Sequence, residues 1–364
     1  MGVQSCGVCL ALLVSSAACG DVGRATGQDD RAADAAATDA DAAVSTNGGK
    51  AGGSARADAG GLRGTGDSGA GSGGDAGGDG TISMITIKVG DLVFDARVAG
   101  PALGTPVIML HGFPETSREW TSEIETVAAA GYRVIAPDQR GYSAGARPPA
   151  VEDYKVPLLV ADVLGMADTL GIDRFHLVAH DWGASVAWAL GASAPERLLT
   201  LNPISVPHLD AFAKVLADPS SCQPAASSYF DLFAAPGSET TLLAGGGAFL
   251  KGVYAGLPSD VVDYYMKFFD APTLSAGLNW YRANIQKRMT TGAPIGNIKV
   301  PTMYIWSDGD TALCRDGAEI TGDYVDGPYR FEIIKGVSHW VPELAADQVS
   351  ALLLEHFAAH KDGK

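Results

Sequence analysis

The chain has 364 residues, 46% of them hydrophobic and 19% charged, and a formal net charge of −16 at pH 7. That acidic balance, with no basic run anywhere, argues against nucleic-acid binding and against direct adsorption to anionic lipid. Roughly the first eighty residues differ so sharply in composition from the rest that length alone does not count domains.

Residues 1–18 read as a secretory signal: LALLVSSAA (10–18) is apolar but too short to span a bilayer as a mature helix, although no Lys or Arg precedes it. Ser16, Ala17 and Ala18 before Cys19 resemble a bacterial lipobox, with Ser16 where leucine is usual. The resemblance implies cleavage before Cys19, lipidation of its thiol, and a place in the bacterial cell envelope facing periplasm or exterior. Plain secretion and a cytoplasmic protein remain the alternatives. Residues 19–81 follow as the lipidated cysteine and a disordered tether. From Gly20 to Gly80 there is almost no large apolar side chain, so burial cannot offset the entropy of ordering. This stretch holds ten Asp against five Lys or Arg. A flexible chain of about 60 residues spans roughly 40–45 Å, so it either holds a folded domain off a membrane or serves solubility alone. No other stretch is long enough for a membrane helix, so membrane contact runs only through the lipid.

From Thr81 short β-rich runs alternate with helical patterns, the mark of α/β architecture. ISMITIKV (82–89) and LVFDARV (92–98) form a hairpin about a Gly-Asp turn. The strands PVIML (106–110), YRVIA (132–136), FHLVAH (175–180), LLTLNPISV (198–206), TMYIW (302–306) and YRFEII (329–334) follow, with helices over 119–130, 157–170, 184–193 and 344–358. The last helix carries Leu344, Ala345, Val349, Leu352, Leu353 and Phe357 at helix-face spacing, and should pack on the sheet. Residues 207–295 are helical and aromatic with no clear strand, an insertion between core strands. The core is thus split into 82–206 and 296–364, with a helical lid between. No internal repeat is visible. Beyond the signal and Cys19, Cys222 and Cys314 remain, either paired in an oxidising compartment or two unrelated thiols.

VAHDWGAS (178–185) runs strand, Asp181, helix, with small Ala179 and Gly183 flanking the turn, the small-x-nucleophile-x-small pattern of a tight elbow. Alone, it reads better as an ordinary aspartate N-cap. HGFPE (111–115) follows the strand PVIML, YIWSDGD (304–310) ends a strand in acids, and GVSHWVPE (336–343) places His339 after the last strand. SYFDLFAAPG (228–237) and LNWYRAN (278–284) carry Tyr229 and Tyr281. Together with APDQRGYS (136–143), these motifs resemble the α/β-hydrolase family, and its epoxide hydrolases in particular, over essentially all of 82–364.

The resemblance implies an α/β-hydrolase fold: a mostly parallel eight-stranded sheet flanked by helices, with the lid inserted between core strands. It implies Asp181 as nucleophile, His339 as base and Asp310 as the acid that orients it, with Asp308 the fallback. Tyr229 and Tyr281 would be the lid acids, and the backbone N–H groups of Phe113 and Trp182 the oxyanion hole, with Phe113-Pro114 cis as in relatives. His111, Pro114, Trp280 and Trp340 are expected on the substrate pocket. Ala179 and Ser307 depart from the family's usual glycines, which leaves substrate range open.

The residue types suit the chemistry. A carboxylate attacks the epoxide carbon, phenols protonate the departing oxygen, and His339 activates the water that hydrolyses the ester. The implied partners are a small apolar epoxide and water. No metal or organic cofactor is needed, and the sequence carries neither a Cys/His metal cluster nor a Walker loop. The nearest rival is a haloalkane dehalogenase, in which the Trp182 indole would hold halide. Against it, Phe113 stands where many such enzymes carry Asn, and the lid tyrosines would lack a purpose. A serine esterase is disfavoured by Asp181 at the elbow. A non-catalytic surface module binding an apolar ligand need not carry all five chemical groups.

Overall fold

A computed structural model describes residues 80–285 and 293–363. The expected signal, Cys19, the tether up to residue 79, and residues 286–292 of the expected lid lie outside the described residues.

β1 (Ser83–Val89) and β2 (Leu92–Ala99) form the antiparallel hairpin, with Gly90 supplying the positive φ of +59° that its tight turn requires. The chain then alternates through β3 (Pro106–Leu110), α1 (Thr121–Ala129), β4 (Arg133–Pro137), α2 (Val156–Thr169), β5 (Phe175–His180), α3 (Trp182–Ser193) and β6 (Leu198–Ile204). Among the described residues six helices follow before the next strand: α4 (Leu209–Ala217), α5 (Gln223–Ala226), α6 (Tyr229–Ala234), α7 (Ser238–Val253), α8 (Ser259–Phe268) and α9 (Ala271–Asn284). The core resumes with β7 (Thr302–Ser307), α10 (Arg315–Ile320), β8 (Tyr329–Ile334), α11 (Val341–Leu344) and α12 (Ala346–Ala359).

The strands form one eight-stranded sheet in the order β1-β2-β4-β3-β5-β6-β7-β8, antiparallel at β1–β2 and β2–β4 and parallel elsewhere. Every residue of β5 and β6 is buried, because helices cover both faces of a parallel sheet. One core layer carries Val163, Trp188 and Leu190 of α2 and α3. The opposite layer carries Ile124 and Val127 of α1 with Leu353 and Phe357 of α12.

The helix expected over 344–358 is two. Ala345 breaks it at φ −134° and ψ 29°, so Leu344 leaves the packed face and stands 37% exposed, while Val349, Leu353 and Phe357 keep it. The apolar period runs on across Ala345, the one residue between α11 and α12, which is why the break escapes a periodicity argument. The lid is also less regular than its composition suggests: α7 is interrupted at Ala244–Gly247, where three glycines adopt positive φ.

Candidate active site

Asp181, Asp310, His339 and Phe113 all follow the carboxyl ends of parallel strands, where open α/β sheets gather their ligand sites. Asp181 sits at the tip between β5 and α3 with φ +48° and ψ −121°, a conformation costing on the order of 1–3 kcal/mol for a non-glycine residue. Tight packing imposes it. A Cβ on Gly183 would lie 2.3 Å from the Leu110 carbonyl oxygen, and one on Gly112 only 2.4 Å from the Asp181 Cβ. The elbow therefore needs glycine at 183 and at the facing position 112, and α3 starts two residues earlier than its apolar pattern indicates.

Asp181 Oδ1 accepts the Phe113 N–H at 2.8 Å, and Oδ2 lies 3.5 Å from His339 Nε2. Trp182 opens α3, so its N–H is among the first-turn amides with no intrahelical partner. His339 Nδ1–H donates to Asp310 Oδ2 at 2.7 Å, while Asp310 Oδ1 accepts the N–H groups of Ala312 at 2.8 Å and Leu313 at 3.1 Å. Asp308 accepts from Gly336 N–H at 2.6 Å instead, so Asp310 and not the fallback faces the imidazole. The Phe113-Pro114 bond is cis.

Burial opposes charge on His339, yet the Asp310 carboxylate and hydrogen bonds to both aspartates outweigh it and raise its pKa well above the ordinary imidazole value. Burial also opposes ionisation of Asp181, but its hydrogen bond and attraction to His339 and the Phe113 N–H hold its carboxyl below the usual range. Both shifts favour an imidazolium beside the Asp181 carboxylate in the resting site.

Above it lies a cavity of about 30 Å³ whose wall includes Asp181, Trp182, Tyr229 and Tyr281. Tyr281 meets Phe113 and Trp182 edge-on at 5.3 and 5.1 Å, and the Tyr229 ring is 6.4 Å from it. Burial, reinforced by nearby negative charge, pushes both phenols well above the usual tyrosine pKa, so both hold their protons. The rest of the wall, Ser185, Val206, Phe212, Phe230 and Leu313, was not singled out from sequence. Only Ser185 had a signal: four residues after Asp181, it falls on the same helix face.

None of the four residues expected on the pocket is in the wall of this cavity. His111 is fully buried beneath it, donating from Nδ1 to Gly112 O and accepting Gln139 N–H at Nε2. Pro114 presents its carbonyl to the Tyr254 hydroxyl. Trp280 donates its indole N–H to Arg140 O and stands edge-on behind Trp182. Trp340 packs between Tyr254 and His339. Trp280 thus backs the wall residue Trp182 and Trp340 packs on the catalytic imidazole, because neighbouring residues of one helix or turn point in different directions.

A buried acidic group behind the elbow was also not foreseen. His180 Nε2–H donates to the His339 carbonyl at 3.0 Å, while its Nδ1 lies 3.2 and 3.3 Å from Glu115 and Glu119. Burial raises the pKa of Glu115 to about 8 and those of Glu119 and Glu123 well above the carboxylate range. Acids whose folded-state pKa is raised contribute stability that is complete below the unfolded value of 4.5 and lost as pH rises through about 8. His176, His208 and His356 act oppositely: burial lowers them to about 3, 4 and 4, so their contribution is present above 6.5 and lost as pH falls. Unfolding free energy is therefore expected to fall from pH 6.5 to 8, as read by denaturant titration. Glu115→Gln should remove about 1.4 kcal/mol per pH unit from that slope. Equal slopes in the two proteins would show that Glu115 is not protonated in the fold.

Residues 105–346 match the family model described as alpha/beta hydrolase fold. Epoxide hydrolase A of Mycobacterium tuberculosis is 32% identical over 294 residues, covering 69% of this chain and 90% of that protein. Among solved structures, one from "Novel epoxide hydrolases belonging to the alpha/beta hydrolases superfamily in metagenomes from hot environments" is similar at a TM-score of 0.69 and 29% identity, over 77% of this chain and all of its own. Epoxide hydrolase A from Mycobacterium thermoresistibile gives 0.67 and 25%, over 76% of this chain and 98% of its own.

Proposed function

The chain belongs to the α/β-hydrolase family and within it to the epoxide hydrolases, and on that premise we propose that it opens a small apolar epoxide to a vicinal diol through a covalent ester on Asp181. One observation carries this reading. Asp181 has one oxygen on the Phe113 N–H and the other facing His339, in a cavity whose wall also bears two tyrosines. Val206, Phe212, Phe230 and Leu313 make the remaining wall largely apolar, which favours an uncharged substrate.

Asp181 Oδ2 attacks an epoxide carbon from the back, and Tyr229 and Tyr281 donate to the ring oxygen as its bond to carbon breaks. The product of this step is an alkyl ester whose carbonyl oxygen, Oδ1, stays on the Phe113 amide. Esterification removes the Asp181 charge and with it part of what keeps His339 protonated. The proton the imidazolium gives up passes to the phenolate left by that donation, which restores the tyrosine. Neutral Nε2 then takes a proton from water, which attacks the Asp181 carboxyl carbon. Asp310 steadies the imidazolium that forms, and the amides of Phe113 and Trp182 hold the oxyanion, each worth about 3–4 kcal/mol in such sites. Collapse breaks the bond between the Asp181 carboxyl carbon and Oδ2, and the departing oxygen takes the proton of the newly formed carboxyl group, so the diol leaves with the enzyme's own oxygen and Asp181 returns to a carboxylate.

A single turnover in ¹⁸O-water tests this sequence. The label is expected in the peptide containing Asp181 and not in the first diol. Label in the first diol, with Asp181 unlabelled, means direct attack by water and removes the covalent intermediate.

A further inference from the structure

Cys222 and Cys314 are joined by a disulfide across a sequence separation of 92. One end precedes α5 in the lid, upstream of Tyr229; the other follows the loop that carries Asp310. Gln223, fully buried, makes a second link beside it. Its Nε2–H donates to Ala312 O at 2.8 Å and its Oε1 accepts Cys314 N–H at 2.9 Å. The same amide group donates to Ser227 Oγ at 2.8 Å, one helical turn nearer to Tyr229. The Ser221 hydroxyl adds a bond to the Asp316 carboxylate.

The peptide groups held in this way are also the ones that anchor the acid. Ala312 and Leu313 donate to Asp310 Oδ1, and Leu313 O accepts the Trp306 indole N–H at 3.1 Å. Thus every backbone donor and acceptor from Ala312 N to Cys314 N is committed, two of them to Gln223. On the lid side, α5 and α6 have four and six residues. Helices that short do not hold themselves in water, so tertiary ties decide where Tyr229 stands.

We propose that the Cys222–Cys314 cross-link and Gln223 form a clamp that positions the lid segment bearing Tyr229 against the loop bearing Asp310, so that epoxide opening depends on it. None of the three lines the cavity, so they are positioning residues. The clamp rests on the epoxide reading above. Loosening it frees the lid segment, whereas Asp310 keeps its own two amide bonds and its bond to His339. Ring opening therefore suffers and ester hydrolysis does not.

Cys222 is exposed and Cys314 half-buried, which lets a dithiol reach the bond. The dithiol supplies two electrons and two protons, becomes a cyclic disulfide, and leaves two thiols. Rapid-quench single turnovers on the full chain would compare the oxidised protein, the reduced protein, the Cys222→Ser/Cys314→Ser variant and Gln223→Leu, with circular dichroism to confirm folding. The rate of adduct formation is expected to fall about ten- to hundredfold, with KM raised, no matching loss in ester hydrolysis, and recovery on reoxidation. Unchanged adduct formation in folded, reduced protein overturns the clamp, as does an equal loss in both steps or two free thiols in a fully active preparation. Absence of any adduct in the oxidised protein would instead defeat the epoxide reading itself.

Discussion

Asp181→Asn is expected to lose about 10⁴- to 10⁶-fold in kcat, the range found when members of a nucleophilic triad are removed. The substitution keeps the size of the side chain and an oxygen to accept the Phe113 N–H, now at 2.8 Å, so the elbow should persist. The amide nitrogen cannot form the ester. Mass spectrometry after mixing with epoxide should find an adduct on the wild-type chain and none on the variant. The same change removes one of the two carboxylates that raise the His339 pKa, so that imidazole should titrate at lower pH by NMR. Turnover comparable to wild type in freshly prepared Asp181→Asn would take the nucleophile away from this residue.

Replacing both Tyr229 and Tyr281 by Phe should cost about 10²- to 10⁴-fold in epoxide opening, the usual contribution of a positioned acid. Each single variant should lose less, because one phenol still donates. The rings carry much of the packing: Tyr281 meets Phe113, Trp182 and Phe233 edge-on, and Phe preserves those contacts. Thermal unfolding should therefore change little. A parallel assay on haloalkanes separates the two leaving groups. Halide departs without a proton, so a dehalogenase reaction would tolerate the double variant, and full activity there would point to halide chemistry.

Where the sequence spoke clearly, the signal was local. The strand runs PVIML of β3 and MYIW of β7 are continuous apolar stretches, and Ala179-His180-Asp181-Trp182-Gly183 has small residues on both sides of the acid. For Gly183 the physical reason is visible: the Leu110 and His111 backbone crowds where its Cβ would stand. The choice between Asp308 and Asp310 was less legible. Both are acids in one turn, and only the approach of the His339 loop assigns the first to Gly336 N–H and the second to the imidazole.

The pocket wall was the hardest part to read. His111, Trp280 and Trp340 belong to motifs around the site, yet their side chains turn away into the layer beneath it. Phe212 and Leu313 belong to no motif, and reach the cavity because α4 and the loop after β7 converge there. Glu115, Glu119 and Glu123 likewise look like the polar start of a surface helix, and are buried only because α1 and its approach lie under other elements.

The sequence by itself determined the alternation of strands and helices, the tight elbow, and the order of nucleophile, acid and base. These rest on periodicity and on the steric demands of residues adjacent in the chain. Only the tertiary structure decided which aspartate faces His339, that Cys222 meets Cys314, and which side chains enclose the cavity. Those depend on segments far apart in sequence being brought within hydrogen-bond or van der Waals range, and on which side of each element faces the shared space.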